Sequence, residues 1–128
     1  MADPVEVVAA VVQRDGRYLI TRRLEGTHLA GLWEFPGGKI LPAEEAESAL
    51  RRELREELGV DASVGELIEA VTWTYPEKTV RILFFRCSVH GEPCPQERQE
   101  MLWVEPADLP RYAFPAADLR LIERLAQT

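Results

Sequence analysis

Between Ala43 and Leu58 the chain reads Ala-Glu-Glu-Ala-Glu-Ser-Ala-Leu-Arg-Arg-Glu-Leu-Arg-Glu-Glu-Leu, mostly strong helix formers. Gly59 follows where a left-handed C-terminal cap would sit. A helix turns by about 100° per residue, so Leu50, Leu54 and Leu58 form one stripe that must be buried against something, most simply a sheet. Glu53, Glu56 and Glu57, at i, i+3 and i+4, project from a second side, and Arg51 and Arg55 fall on the solvated remainder. Ala46 and Ala49 flank the carboxylate side, where their small size would leave room for a ligand. Three like charges on one patch near the negative end of the helix dipole are in an unfavourable place. A bound cation would remove the conflict, and an all-oxygen donor set suits Mg²⁺ or Mn²⁺.

The rest of the chain supplies the sheet. Val5 to Val12 is β-branched and nearly continuous, the pattern of a strand covered on both faces. Asp15-Gly16 is a turn signal, and Tyr18 to Thr21 reads as the returning strand of a hairpin. Residues 22 to 32 read as loop. Trp33-Glu34-Phe35 then leads into Pro36-Gly37-Gly38, a strand stop, and the short extended piece Lys39 to Leu41 is broken by Pro42. Ser63 to Tyr75 and Thr79 to Val89 are expected as two strands separated by Pro76-Glu77-Lys78. The segment from His90 to Gln99 is expected as loop, Leu102 to Val104 as a short strand, and Pro115 as the start of a terminal amphipathic helix carrying Leu119, Ile122 and Leu125. With no repeat or linker, the expectation is a single domain over residues 1–128, α/β with a mixed sheet.

The stretch from Gly38 to Val60 resembles the Nudix box: Gly38, Glu44, Arg52, Glu53, Leu54, Glu56, Glu57, Gly59 and Val60 match its constrained positions. Similarity to the MutT-type members of that superfamily extends along nearly the whole chain. It is carried by Thr21-Arg22-Arg23, Leu32 to Gly38, Tyr75-Pro76, Gly91-Glu92-Pro93, Glu97 followed by Trp103, and Phe114 to Asp118. The resemblance implies an α/β/α sandwich around a mixed sheet. It also implies hydrolysis of nucleoside triphosphates to a nucleoside monophosphate and pyrophosphate.

The same resemblance assigns roles. Glu53, Glu56 and Glu57 would hold metal or activate the attacking water, the Gly37 carbonyl would complete the metal shell, and Glu97 matches a loop acid added to the site, with Glu92 and Glu100 as neighbouring alternatives. Glu44 and Arg52 would pair and orient the ligands. Arg23 and Lys78 are candidate contacts to phosphate or ribose, Lys78 standing where relatives carry arginine. His28, Glu34, Phe35 and Asp118 are candidates for the substrate pocket, while Trp33 reads as core. MutT carries asparagine where this chain has Asp118. An ionised aspartate only accepts hydrogen bonds, which suits the exocyclic amino group of cytosine, whereas a protonated one can also donate to the O6 of an oxidised guanine. Two substrates follow: an oxidised nucleotide such as 8-oxo-dGTP first, and CTP or 5-methyl-dCTP as the alternative.

Composition excludes several other classes. A formal net charge of −7 argues against nucleic-acid polymers and anionic membranes as partners. Cys87 and Cys94 fit neither a disulfide framework nor a metal spacing, and the start Met1-Ala2-Asp3-Pro4 has no signal-peptide pattern, so a cytoplasmic protein with no obligatory protein partner is expected. A binding protein that does not cleave nucleotide would be expected to lack the acids of the box, and all are present.

Overall fold

The computed structural model describes residues 3–127; Met1, Ala2 and Thr128, the ends of the expected domain, lie outside the described residues. Strand β1 (Val5–Arg14) turns through Asp15 and Gly16, both at positive φ, into β2 (Arg17–Arg22). This is the two-residue hairpin geometry that Asp-Gly favours. β3 (Trp33–Glu34) and β4 (Gly37–Lys39) follow, then helix α1 (Ala46–Leu58), the long hairpin of β5 (Asp61–Thr74) and β6 (Thr79–His90), and β7 (Met101–Val104). Two 3₁₀ turns, Pro106–Arg111 and Ala116–Asp118, precede helix α2 (Leu119–Ala126).

The strand order is β3-β2-β1-β6-β5, with β4 on β1 and β7 on β2. β1 runs parallel to β6 and antiparallel to its other partners, so the sheet is mixed. One side of β1 is shared: β4 pairs with Val7 to Ala9, and β2 pairs with Gln13 and Arg14. The chain from β3 to β4 crosses this split, where Ala10 N–H donates to the Pro36 carbonyl at 2.8 Å.

β1 lies at the centre because it is apolar on both faces. Val8, Ala10 and Val12 pack with Ala49, Leu50, Leu54 and Leu58 of α1, while Ala9 and Val11 pack with Leu121, Ile122 and Leu125 of α2 and with Trp33 and Phe114. The result is the expected α/β/α sandwich. The leucine stripe of α1 is fully buried, so truncating Leu54 to Ala would cost about 2–5 kcal/mol. Among the described residues no helix is long and apolar enough to cross a membrane.

Four local readings are corrected. α1 begins at Ala46 rather than Ala43, because Ala43 sits at φ 64 in a turn that Glu44 closes by accepting the Leu41 N–H at 3.0 Å. Gly37 and Gly38 do not stop the chain but pair with Ala9 and Val8 as part of β4, and neither has room for a Cβ: at Gly37 it would meet the Val8 main chain and at Gly38 the Glu53 carboxyl. Ala49 is fully buried in the core beside Leu50 and leaves no space for a ligand. The C-terminal helix starts at Leu119 rather than Pro115, and Leu119 is exposed while Leu121 is buried, because the helical period groups Leu121 with Ile122 and Leu125 on the buried face.

Candidate active site

Docking the leucine stripe of α1 onto the sheet turns its acids towards β4, whose two glycines make the approach feasible. A Cβ on Gly37 would stand 1.9 Å from the Val8 carbonyl oxygen, and one on Gly38 would stand 2.4–2.6 Å from the carboxyl atoms of Glu53. Gly37 N–H donates to Glu57 Oε2 at 3.0 Å, fixing the last acid of the helix against the strand.

Arg52 organises the outer acids. Its Nε and Nη2 donate to the two oxygens of Glu44, both at 2.9 Å, and Nη2 also reaches the Lys39 carbonyl at 3.0 Å. Nη1 donates to Glu53 Oε1 at 2.8 Å and to Glu56 Oε2 at 3.3 Å. The bidentate fork explains why Glu44 is held at about 2, well below the ordinary carboxylate value. The expected Glu44–Arg52 pair is thus present, and it is coupled directly to two acids of the helix.

Inside, the electrostatics reverse. Burial pushes Glu57 up to about 9, helped by the neighbouring charges of Glu34, Glu53 and Glu97 and opposed by its bond from Gly37. Burial also raises Glu53, against the pull of Arg52. Acids packed this way repel one another until a cation arrives, and their oxygen-only chemistry fits a hard divalent ion. Among the described residues no three acids are drawn into a closed metal cage, because Arg52 and Gly37 each hold some of them elsewhere.

Glu97 comes from the loop after β6. With Glu57, Glu34, Arg23, Arg22 and Gln99 it lines a groove at the C-terminal end of α1. Gln99 escaped the sequence reading: it is buried, its Nε2 donates to the Glu57 carbonyl at 3.1 Å, and its Oε1 accepts from Glu97 N–H at 2.9 Å. A polar residue in a polar loop carries no periodic signal that would mark it. Glu92 and Glu100 are engaged elsewhere, with Arg14 and Arg22 respectively.

Across Arg23 and Glu34 lies a second hollow of about 190 Å³, lined by apolar side chains of β1 and β6 together with Arg23, His28, Glu34, Phe35, Gly37, Tyr75, Lys78 and Asp118. Arg23 Nη1 donates to Glu34 Oε1 at 2.7 Å, and both residues line both hollows. His28 meets Glu77 and stands edge-on to Tyr75, whose hydroxyl accepts from Ala117 N–H at 3.0 Å. That bond brings Tyr75, which the sequence marked only as part of a motif, against the turn that carries Asp118. Phe35 is buried against Phe84 and Phe114 as well as facing the hollow, and Trp33 is core, as expected. Asp118 is 4% exposed, and its carboxyl takes no hydrogen bond from any described residue. Burial, with the nearby charge of Glu34, raises it to about 7. Glu53, Glu56 and Arg52 line neither hollow; they join the site through each other and through Gly38.

The chain is similar to proteins of known kind. An "8-oxo-dGTP diphosphatase" of Haemophilus influenzae is 41% identical over 94% of this chain and 90% of its own length. A "CTP pyrophosphohydrolase" of Escherichia coli is 38% identical over 93% and 89%. The crystal structure of a MutT protein from Methanosarcina mazei superposes with a TM-score of 0.87 at 27% identity, covering 99% of this chain and 96% of that one. The NUDIX domain model matches residues 7–124. With that match and relatives of this identity along almost its whole length, the chain belongs to the NUDIX domain family and is a Nudix hydrolase.

Proposed function

We propose that this enzyme, a single domain acting in the cytoplasm, is a Mg²⁺-dependent nucleoside triphosphate pyrophosphohydrolase. It would release a nucleoside monophosphate and pyrophosphate, with oxidised nucleotides such as 8-oxo-dGTP as its substrates. The observation that carries the reading is the pair of hollows sharing Arg23 and Glu34: one acidic, the other largely apolar with a buried carboxyl, adjoining closely enough for one nucleotide to occupy both. Base and ribose would lie in the larger hollow and the polyphosphate in the groove.

Glu53, Glu56, Glu57 and Glu97, with the Gly37 carbonyl, would hold Mg²⁺ or Mn²⁺. The ion when bound would neutralise phosphate charge and orient a water. One of these carboxylates would take the proton of the attacking water, a role open to Glu57 and Glu53 once a bound cation holds them ionised. Arg52 keeps Glu53 and Glu56 in place, and Arg23, backed by Glu34, meets phosphate or ribose. Lys78 adds a second cation at the rim, while His28 and Phe35 bound the base. In its protonated form, well populated at neutral pH because burial raises it to about 7, Asp118 can donate to a purine O6 while its other oxygen accepts from N7–H.

A second reading has its own support. If Asp118 ionises against Arg23, it becomes a pure acceptor suited to the amino group of CTP or 5-methyl-dCTP, the substrate class in the name of one relative.

The reading is tested by product analysis of 8-oxo-dGTP turnover with and without Mg²⁺. Pyrophosphate and monophosphate formed only with the metal are expected. Orthophosphate and diphosphate, or equal rates in chelator, would refute it.

A further inference from the structure

The loop from Gly91 to Glu100 has no regular structure, yet its middle is fastened to the C-terminus of α1. Cys94 N–H donates to the Leu58 carbonyl at 3.0 Å and Gln96 N–H to the Glu57 carbonyl at 2.8 Å. These carbonyls belong to the last turn of the helix, where no partner within the helix exists. Gln99 adds a third tie of a different kind. Its amide uses both ends, donating to the Glu57 carbonyl and accepting from the Glu97 N–H. It is 7% exposed, although Glu97 and Arg98 beside it are exposed.

Arg98 takes φ 63, a conformation few residues other than glycine adopt. That turn lets Gln99 point into the protein while Glu97 lines the groove beside Glu57. Beyond it the Glu100 carbonyl accepts from Arg22 N–H of β2 at 3.0 Å, closing the far end of the loop. The charge of Glu97 raises the cost of ionising Glu57. Left to itself, a loop bearing one of them would swing away from the other.

We propose that Gln99 is a positioning residue for Glu97: by bridging the main chains of Glu57 and Glu97 with one buried amide, it sets the spacing of the two acids across the groove. The proposal rests on the reading of Glu97 as part of the active site. A helix cap alone would need only the bond to the Glu57 carbonyl. The bond to Glu97 N–H ties the helix end to the residue that carries the loop acid.

The test is a double-mutant cycle of Gln99→Met, which keeps the volume and removes both bonds, with Glu97→Gln. It is read by kcat, nucleotide KM, melting temperature and hydrogen exchange at the Glu97 amide. Gln99→Met is expected to lower kcat on the order of tenfold or more, the cost of an acid displaced by a fraction of its bond length or more. KM should stay within about twofold, because the change shifts an acid and removes no cation that would hold phosphate. The Glu97 amide should exchange faster, and the double variant should be no slower than Glu97→Gln within about twofold. If Gln99→Met does not fold, Gln99→Asn, which keeps the amide one methylene short, carries the same comparison. Losses that multiply, or a wild-type kcat in the Gln99 variant beside a slow Glu97→Gln, would overturn the proposal and leave the site reading intact. Normal turnover by Glu97→Gln would remove Glu97 from the site and the proposal with it.

Discussion

The groove and the hollow on either side of the Arg23–Glu34 pair are built in opposite ways. In the groove and behind it the acids are tied to the frame: Glu53 and Glu56 to Arg52, Glu57 to Gly37, and the main chain of Glu97 to Gln99. In the hollow the walls are mostly apolar, drawn from many segments, and the one buried acid, Asp118, has no hydrogen-bond partner among the described residues. The first arrangement fixes positions before a substrate arrives. The second leaves a carboxyl without a protein partner facing the hollow, open to a matching base, so rate should depend on geometry in the groove and selectivity on one group in the hollow.

The contrast can be broken most sharply at Glu57. Glu57→Gln should cut turnover on the order of a thousandfold with the fold retained, because the most desolvated acid of the helix is lost while its bond from Gly37 survives; near-normal turnover would exclude it from the site. Next come the two glycines of β4. Gly38→Ala places a Cβ against the carboxyl of Glu53, which can move, so kcat should fall roughly ten- to a hundredfold with little loss of stability. Gly37→Ala meets the Val8 main chain instead and should unfold the β1–β4 pairing. Equal melting temperatures for the two variants would contradict this distinction.

On the other side, Asp118→Asn should leave the rate on the best substrate within an order of magnitude and shift the ratio of kcat/KM towards 8-oxo-dGTP over CTP by about tenfold. An unchanged ratio would mean that Asp118 does not read the base. The smallest effect is on stability. An acid raised from 3.8 to about 7 keeps its proton longer folded than unfolded, so the folded state loses stability as pH rises from about 4 through 7. Asp118→Asn removes that loss, and its advantage in melting temperature should grow by about 5 °C or more between pH 5 and pH 8. A constant difference across that range would rule out a buried, proton-holding Asp118.

The groove was the more legible half. Its helix period alone brings Glu53, Glu56 and Glu57 to one side and the leucines to another, and the Gly38–Val60 segment holds most of its parts in one run of sequence. Legibility stopped where tertiary contact overrode local preference. Ala43 to Glu45 look helical but are held in a turn by Glu44, and Gly37-Gly38 look like a stop but are extended through pairing with Ala9 and Val8 of β1. Ala49, placed by its size beside a ligand, belongs to the core. The hollow was less legible because its walls meet only when the sheet forms. Asp118 was singled out by its departure from MutT, but its burial, and Tyr75 bracing the turn before it, depend on contacts across more than forty residues. Gln99 left no trace in the pattern at all.

The most direct test of the central claim is kcat/KM for pyrophosphate release, with Mg²⁺ at neutral pH, from 8-oxo-dGTP, dGTP, CTP, 5-methyl-dCTP and 2-hydroxy-dATP. 8-oxo-dGTP is expected well ahead of dGTP and of both cytosine nucleotides, with Asp118 meeting the base in its protonated form. CTP or 5-methyl-dCTP in front, with 8-oxo-dGTP no better than dGTP, would contradict it and make Asp118 an ionised acceptor for an amino group.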